Sequence, residues 1–338
     1  MYQIGTKWKL WDLPNFLQDE INAIQLRGFK LESPVVLPPD FLIDSDNSRL
    51  SVEQVASGYC PTSRDIYIKK KLRSRIQNSQ STWGQVAGYL IEEYCKGLLD
   101  QFSQLAQNPQ GLNYQSLNNL SQKYSQIFWS TRQKKVAELR KKATSTEESP
   151  ERLIFLLQQT AKYELTMLGA DYSFCQNDGG QFVPLLQGIP IVFDEKSVKI
   201  MPNNLLGLGS TTTPDFLIQN PTIVMGEVKT GFRLEPFHLH TIAGYALAYE
   251  SQHNVNVNFG IVYFFETHSK QMNFAQSYVF VIDDLLRRGF LDRRNSLYTI
   301  LQQNDPPRTA RELPNGSISY ENHCKYCHFK AICYPQNG

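Results

Sequence analysis

Pro214-Asp215-Phe-Leu-Ile-Gln-Asn-Pro-Thr-Ile-Val-Met-Gly-Glu227-Val228-Lys229 holds two apolar runs separated by turn-forming residues at 219–222. An antiparallel hairpin centred near residue 221 sets Asp215 opposite Glu227, where facing Cβ atoms stand roughly 4.5–5.5 Å apart. Glu227 and Lys229 are two positions apart, so they share a face. Two carboxylates and an ammonium therefore gather at one sheet edge. Close carboxylates repel, which raises one pKa unless a cation lies between them. Mg²⁺ or Mn²⁺ suits that place, because these hard ions take carboxylate, carbonyl and water oxygens, and the backbone carbonyl of Val228 offers a further ligand. Lys229 would then orient or deprotonate a water, or neutralise phosphate charge. Such a set suits metal-assisted phosphodiester hydrolysis. The competing reading is a surface hairpin with a Glu–Lys pair on one face. Apolar flanks on both strands weigh against it, since surface hairpins alternate more cleanly.

Outward from the hairpin, the texture of the chain divides near Asp171. Downstream, short β-branched runs at 182–186, 189–193, 197–200, 215–218, 222–229, 257–264 and 277–282 read as strands. Residues 234–252 read as a helix and 283–303 as one or two more. The Gly207-Leu-Gly209-Ser segment lacks the surroundings of a dinucleotide fingerprint and reads as the loop that delivers Pro214 and Asp215. Upstream, 51 to about 166 is helical in pattern. Ser51 and Gln54 resemble a capping box, and Val86, Tyr89, Leu90, Tyr94 and Leu98 recur near helical period. Residues 101–126, rich in Gln, Asn and Ser, read as weakly packed helix or loop. A short helix is expected within 13–26, then a Pro-rich extended connector at 33–40. The expected organisation is an N-terminal extension (1–50), a helical lobe (51–170), an α/β core (171–303) and a cysteine-bearing tail (304–338).

Composition narrows the function classes. The 338 residues are 41% hydrophobic and 20% charged, which excludes a disordered polymer, and the length suits one large domain or two modest ones. The net charge of +2 excludes a polycation, so any nucleic-acid contact must come from local patches. No apolar run approaches the ~18 residues of a membrane helix. The opening Met-Tyr-Gln-Ile-Gly-Thr-Lys lacks a signal peptide's apolar core. A cytoplasmic protein with no membrane partner is the expectation.

The tail reads Cys324-Lys-Tyr-Cys327-His-Phe-Lys-Ala-Ile-Cys333. Three clustered thiols call for a fourth ligand, and Cys60, in Gly58-Tyr-Cys-Pro61, is the best candidate because Cys-Pro at a turn holds a thiolate outward. Cys95 lies inside an amphipathic helix and Cys175 before a Gly-rich turn, so both read as lone or core thiols. Four thiolates fit a [4Fe–4S] cluster or Zn²⁺. A zinc site would usually close locally, with His323 or His328 available, whereas a ligand far upstream argues for a cluster that clamps the two chain ends.

A first cysteine, a Pro-Asp…Glu-x-Lys hairpin and a final Cys-x₂-Cys-x₅-Cys, in that order over residues 58–333, resemble the RecB-type iron–sulfur nucleases. Within them the chain is most similar to the CRISPR-associated exonucleases of the spacer-acquisition module. Gly58-Tyr-Cys-Pro-Thr-Ser-Arg-Asp-Ile-Tyr-Ile68 looks like the first-cysteine segment of the variant branch found with type I-A systems. The resemblance implies a restriction-endonuclease-like core sheet with flanking helices and a helical N-terminal lobe closed by a Cys₄ iron–sulfur site. It implies Mn²⁺- or Mg²⁺-dependent cleavage of DNA, with single-stranded ends or overhangs as substrate, CRISPR integrase proteins as partners and room for a homo-oligomer. By carry-over, Asp215 and Glu227 bind the ion, Lys229 is catalytic, and Cys60, Cys324, Cys327 and Cys333 hold the cluster. Two positions depart from the family pattern. Gly88 stands where a metal-binding His would fall, leaving Glu92 or Glu93 to reach the ion. Thr241 stands four residues before Tyr245 in place of a Gln, while Tyr245 remains to contact a phosphate or order the site.

Two basic clusters are candidates for a phosphate backbone. The first follows Cys60, where Arg64, Lys71 and Arg75 would share a helix face. The second comprises Arg132, Lys134, Lys135, Arg140, Lys141 and Lys142, for which a solvated helix face is the better reading. Tyr59, Tyr67, Tyr326 and Phe329 are candidates to stack bases of a single strand, although aromatics there are more often core.

Overall fold

The layers follow from alternation along one strand. In β4 (Phe259–Glu266), Phe259, Ile261, Tyr263 and Phe265 turn to one side, while Val262 and Phe264 turn to the other, and nearly all are buried. Two apolar faces require two covering layers. The computed structural model describes residues 2–3, 14–15, 17–28, 49–72, 83–106, 113–143, 149–177, 199–201, 206–209, 211–218, 222–231, 234–267, 275–315, 324, 327 and 329–335, with backbone alone at 2–3, 99, 103, 106, 114 and 167–177.

The sheet has the order β1-β5-β4-β3-β2, with β1 at Tyr2–Gln3, β2 at Phe216–Ile218, β3 at Val224–Gly231 and β5 at Gln276–Val281. Only β3 and β4 pair in parallel. A parallel pair needs a crossover, supplied by the helix Pro236–His253 between them. In chain order the helices are α1 (Gln18–Asn22), α2 (Val52–Ala56), α3 (Arg64–Lys70), α4 (Trp83–Ala106), α5 (Tyr114–Thr131), α6 (Gln133–Lys142), α7 (Pro150–Asn177), α8 (Pro236–His253), α9 (Asp284–Gln302) and α10 (Lys330–Cys333). Helices α4 to α7 cover one face, with Leu90, Tyr94, Trp129, Leu139 and Leu156 in the core they share with it. Helices α2, α3, α8 and α9 cover the other, through Val55, Ile66, Leu247 and Phe290. The architecture is mixed α/β, and no described helix is long and apolar enough to cross a membrane.

Several expectations shift. The helical segment is a layer on the sheet, and α7 runs through the expected boundary at 170 to Asn177. The polar stretch 101–126 is well packed where described. Asn113 caps α5 with a reciprocal capping box, and Leu117, Phe128 and Trp129 are buried, Trp129 stacking on Tyr94 at 5.7 Å. Widely spaced aromatics outweigh polar composition when one face alone is buried. Residues 283–303 form the single helix α9. The strands expected at 182–186 and 189–193 lie outside the described residues, and of 197–200 Ile200 makes an isolated bridge to Thr212. Within the expected extension, Tyr2 and Gln3 pair with β5, while the 25–28 backbone bonds to Asp284 and Glu250.

One buried ion pair ties α8, α9 and β4 together. Arg287 is fully buried and bonds both oxygens of Glu250, at 2.7 and 3.0 Å. The carboxylate also accepts from the backbone N–H groups of Gly28 and Val257.

Candidate functional site

Strand β2 pairs with β3 in the register Phe216↔Gly226, Leu217↔Met225 and Ile218↔Val224, so Asp215 enters beside Glu227. The close approach needs Gly226, because a Cβ there would stand 2.0 Å from the Phe216 ring. Val228 N–H donates to Asp215 Oδ2 at 2.6 Å. Lys229 Nζ donates to Glu227 Oε1, and the two side chains form an ion pair. The other oxygen, Glu227 Oε2, is buried without a hydrogen-bond partner. A buried carboxylate oxygen left unsatisfied is costly, and such groups mark ligand or ion positions.

The electrostatics follow from this enclosure. Burial, then repulsion from Asp215, pushes Glu227 up to about 8, against the pull of Lys229. Burial raises Asp215 as well, while Lys229 and the Val228 N–H oppose it. Burial alone would lower Lys229, but the two carboxylates overcome that and hold it above the ordinary lysine value. The three groups sought in the sequence thus share one charged recess.

The flanking candidates divide. Glu92 and Lys96 of α4 form an i,i+4 pair at 2.6 Å, and both act on Asp215, Glu92 raising its pKa and Lys96 lowering it. Glu93 instead pairs with Arg132. Among the described residues, a Cβ at Gly88 would meet nothing within 4 Å. Tyr245 is 2% exposed, and its hydroxyl donates to Glu53 Oε1 at 3.0 Å. That oxygen also accepts from Thr212 Oγ1 at 2.5 Å. The Tyr245 hydroxyl is thereby engaged by protein. Glu53 was not among the residues sought. Burial would raise its pKa, but the hydrogen bonds, that from Thr212 foremost, hold it below the usual carboxylate value, and it adds to the upward push on Glu227. Thr212 is held by the 206–212 loop, where Gly207 takes φ 66° and Leu208 bridges Leu50.

Cys60, Cys324, Cys327 and Cys333 line one cavity, together with Thr62, Arg64, Asp65 and Tyr334. Ser63, in the left-handed region at φ 57°, reverses the chain after Cys60, and its N–H bonds the Cys60 carbonyl at 3.1 Å. The 324–333 arc is closed by Cys327 N–H to Cys324 O and Cys333 N–H to Phe329 O. Burial raises all three tail thiols, Cys327 to about 11. A thiol in this state needs a metal or a cationic neighbour to become a ligand. The donor set around the cavity is therefore right in kind for an iron–sulfur or zinc centre. Among the described residues, though, no three His, Cys, Asp or Glu side chains are already gathered closely enough to hold a metal ion. Cys95 is a buried core thiol, and the side chain of Cys175 lies outside the described residues.

The basic candidates are largely engaged by protein. Arg64 lines the thiol cavity and donates through Nη1 to Pro307 O, and its buried Nε has no partner. Lys71 donates to Gln303 O and lies over the Tyr67 ring. Arg75 lies outside the described residues. In the second cluster Arg132, Lys135 and Arg140 pair with Glu93, Glu138 and Glu151, as a solvated face would. Tyr67 is buried in the core, whereas Tyr59 is exposed.

A family model described as CRISPR-associated exonuclease Csa1 matches residues 1–328. A curated relative, the CRISPR-associated exonuclease Csa1 of Saccharolobus solfataricus, is 31% identical over 125 residues, which cover 37% of this chain and 40% of the relative. The match thus spans less than half of that relative's length. No solved structure matches the chain. With the family match running over nearly its whole length, and with a carboxylate–lysine recess and a four-thiol cavity in one fold, the chain belongs to the family of CRISPR-associated exonuclease Csa1.

Proposed function

We propose that this protein is a Mn²⁺- or Mg²⁺-dependent DNA exonuclease with a RecB-like core, trimming single-stranded ends or overhangs beside the CRISPR integrase proteins during spacer acquisition. The observation that carries the reading is Glu227 Oε2, a buried, unpartnered carboxylate oxygen beside Asp215 and Lys229. Asp215, Glu227 and the Val228 carbonyl would hold the ion, with Glu92 at its flank. A bound divalent ion would supply the Lewis acidity that polarises a phosphoryl oxygen and acidifies water. The chain's own part is electrostatic and positional. Val228 N–H fixes Asp215, Lys229 fixes Glu227, and the Lys229 ammonium is available to a phosphate oxygen. Burial keeps the recess at low dielectric, so these charges act strongly.

Cys60, Cys324, Cys327 and Cys333 would hold a [4Fe–4S] cluster, which joins the residues after α2 to the tail. Their shared cavity supports that role, with zinc as the other centre the same donors suit. A second reading, a DNA-binding subunit with weak catalysis, rests on the empty space at Gly88. One experiment addresses both readings. Protein purified without oxygen is assayed for iron and sulfide, and single-stranded DNA cleavage is followed in Mn²⁺ for wild type and Lys229→Ala. Bound iron with cleavage lost in the variant is expected. Equal turnover in the two proteins removes the nuclease assignment.

A further inference from the structure

The chain between α2 and Cys60 is held more firmly than a connector requires. Arg293 of α9 donates through Nε to Val55 O at 2.8 Å and through Nη2 to Ser57 O. Gly58 then lies so close to Phe237 of α8 that a Cβ would stand 2.7 Å from its ring. The next residue, Tyr59, sets its ring edge against Phe237 at 4.8 Å and 62°. Phe237 in turn meets the His238 ring at 4.5 Å. After this fixing the Tyr59 side chain remains 63% exposed.

An exposed aromatic is ordinary by itself. This one is backed by a second ring, follows a backbone held by the half-buried Arg293, and interacts with Lys229 of the recess. Partial desolvation on the side packed against Phe237 raises the Tyr59 phenol, the Lys229 ammonium opposes that rise and Glu235 adds to it, so Tyr59 and Lys229 act on each other while the rest of the ring stays in solvent. A phosphate drawn to Lys229 would bring its attached sugar and base to the neighbouring surface. The group there is the exposed π-face of Tyr59, braced by Phe237. Such a surface takes any unpaired base by stacking, whereas a base inside a duplex has both faces already occupied.

We propose that Tyr59 is a stacking platform for an unpaired nucleobase of the strand whose phosphate reaches Lys229, and that it gives the site its preference for single-stranded ends. The inference rests on the nuclease reading above. Tyr59 binds through its ring, with Phe237 holding the ring upright and Arg293 fixing the backbone beneath it.

The test is binding of a single-stranded oligonucleotide and a blunt duplex, in Ca²⁺, by fluorescence anisotropy, with 2-aminopurine scanned along the single strand. Tyr59→Ala should weaken single-strand binding roughly 5- to 160-fold, from the ~1–3 kcal/mol that one base–aromatic stack contributes. Tyr59→Phe and Tyr59→Trp should stay within about twofold of wild type, because the ring is retained. Duplex binding should not change, and 2-aminopurine quenching at one position should vanish in Tyr59→Ala alone. Circular dichroism checks that the variant is folded. Wild-type affinity in Tyr59→Ala overturns the platform, as does an equal loss in Tyr59→Phe, which would assign the effect to the hydroxyl. A wild-type protein that binds neither DNA removes the nuclease reading itself, and the platform with it.

Discussion

Arg287→Met should cost about 3–5 kcal/mol of stability, the usual penalty for breaking a buried ion pair from one side. The guanidinium donates Nε to Ile282 O at 2.8 Å, Nη1 to Glu250 Oε2 at 2.7 Å, and Nη2 to Glu250 Oε1 at 3.0 Å and Val257 O at 2.8 Å. Methionine fills a similar length without a donor. Glu250 would keep the N–H groups of Gly28 at 2.6 Å and Val257 at 2.9 Å and, among the described residues, the longer and more exposed ion pair to Arg27 at 3.5 Å. With an unfolding entropy of about 2.1 cal/mol/K per residue, a chain of 338 residues loses stability at about 0.7 kcal/mol per degree near its midpoint, so the melting temperature should fall by about 4–7 °C. Adding Glu250→Gln should restore more than half of the loss, because a neutral amide replaces the stranded carboxylate and can still accept from the Val257 N–H. Thermal and urea unfolding of wild type, single and double variants measure both effects. A single-variant loss below about 1 kcal/mol, or a double variant no better than the single, would refute the argument from an uncompensated charge.

Three further outcomes are expected. His238 Nδ1 accepts from Glu235 N–H at 3.2 Å, and burial, aided by Lys229, lowers the imidazole to about 4. Its folded-state pKa lies below the unfolded value near 6.5, so the unfolded chain binds more protons between them, and stability is present above about pH 6.5 and lost as pH falls toward 4. His238→Asn should flatten that acid limb in a melting-temperature profile; parallel profiles would discard the assignment. Gly226→Ala should destabilise by about 1–3 kcal/mol, read from the urea midpoint, because the buried Phe216 ring occupies the space a Cβ needs. Glu227, raised to about 8, is mostly protonated at pH 7, so Mn²⁺ binding should release close to one proton there and almost none above pH 9. Calorimetric titration in buffers of different ionisation enthalpy measures this, and zero release at pH 7 counts against ion binding at Glu227.

The hairpin was legible because its register depends on two local quantities, the turn centre and the period of two; the Asp215–Glu227–Lys229 recess follows from them. The thiol cavity was legible from chemistry, since clustered cysteines need a common partner and Cys60 alone sits in a Cys-Pro turn. Glu53 was not legible. An acidic residue in the first turn of a capped helix reads as a complement to the helix dipole, and its bonds to Thr212 and Tyr245 are long-range. Arg64 opens α3 and Lys71 follows its last residue, and the sequence could not reveal that the carbonyls of Pro307 and Gln303 approach these two side chains. Helix α5 was underrated because composition hides the one stripe of Leu117, Phe128 and Trp129 that decides its packing.

The cavity that joins Cys60 to the 324–333 arc also orders events during synthesis. Cys60 leaves the ribosome long before its three companions are made. Until residue 333 has been made, the cavity has only part of its wall. Any inorganic guest held by all four thiols must therefore wait until that stretch has been made. A truncated product would lack the site altogether, however well its sheet had folded.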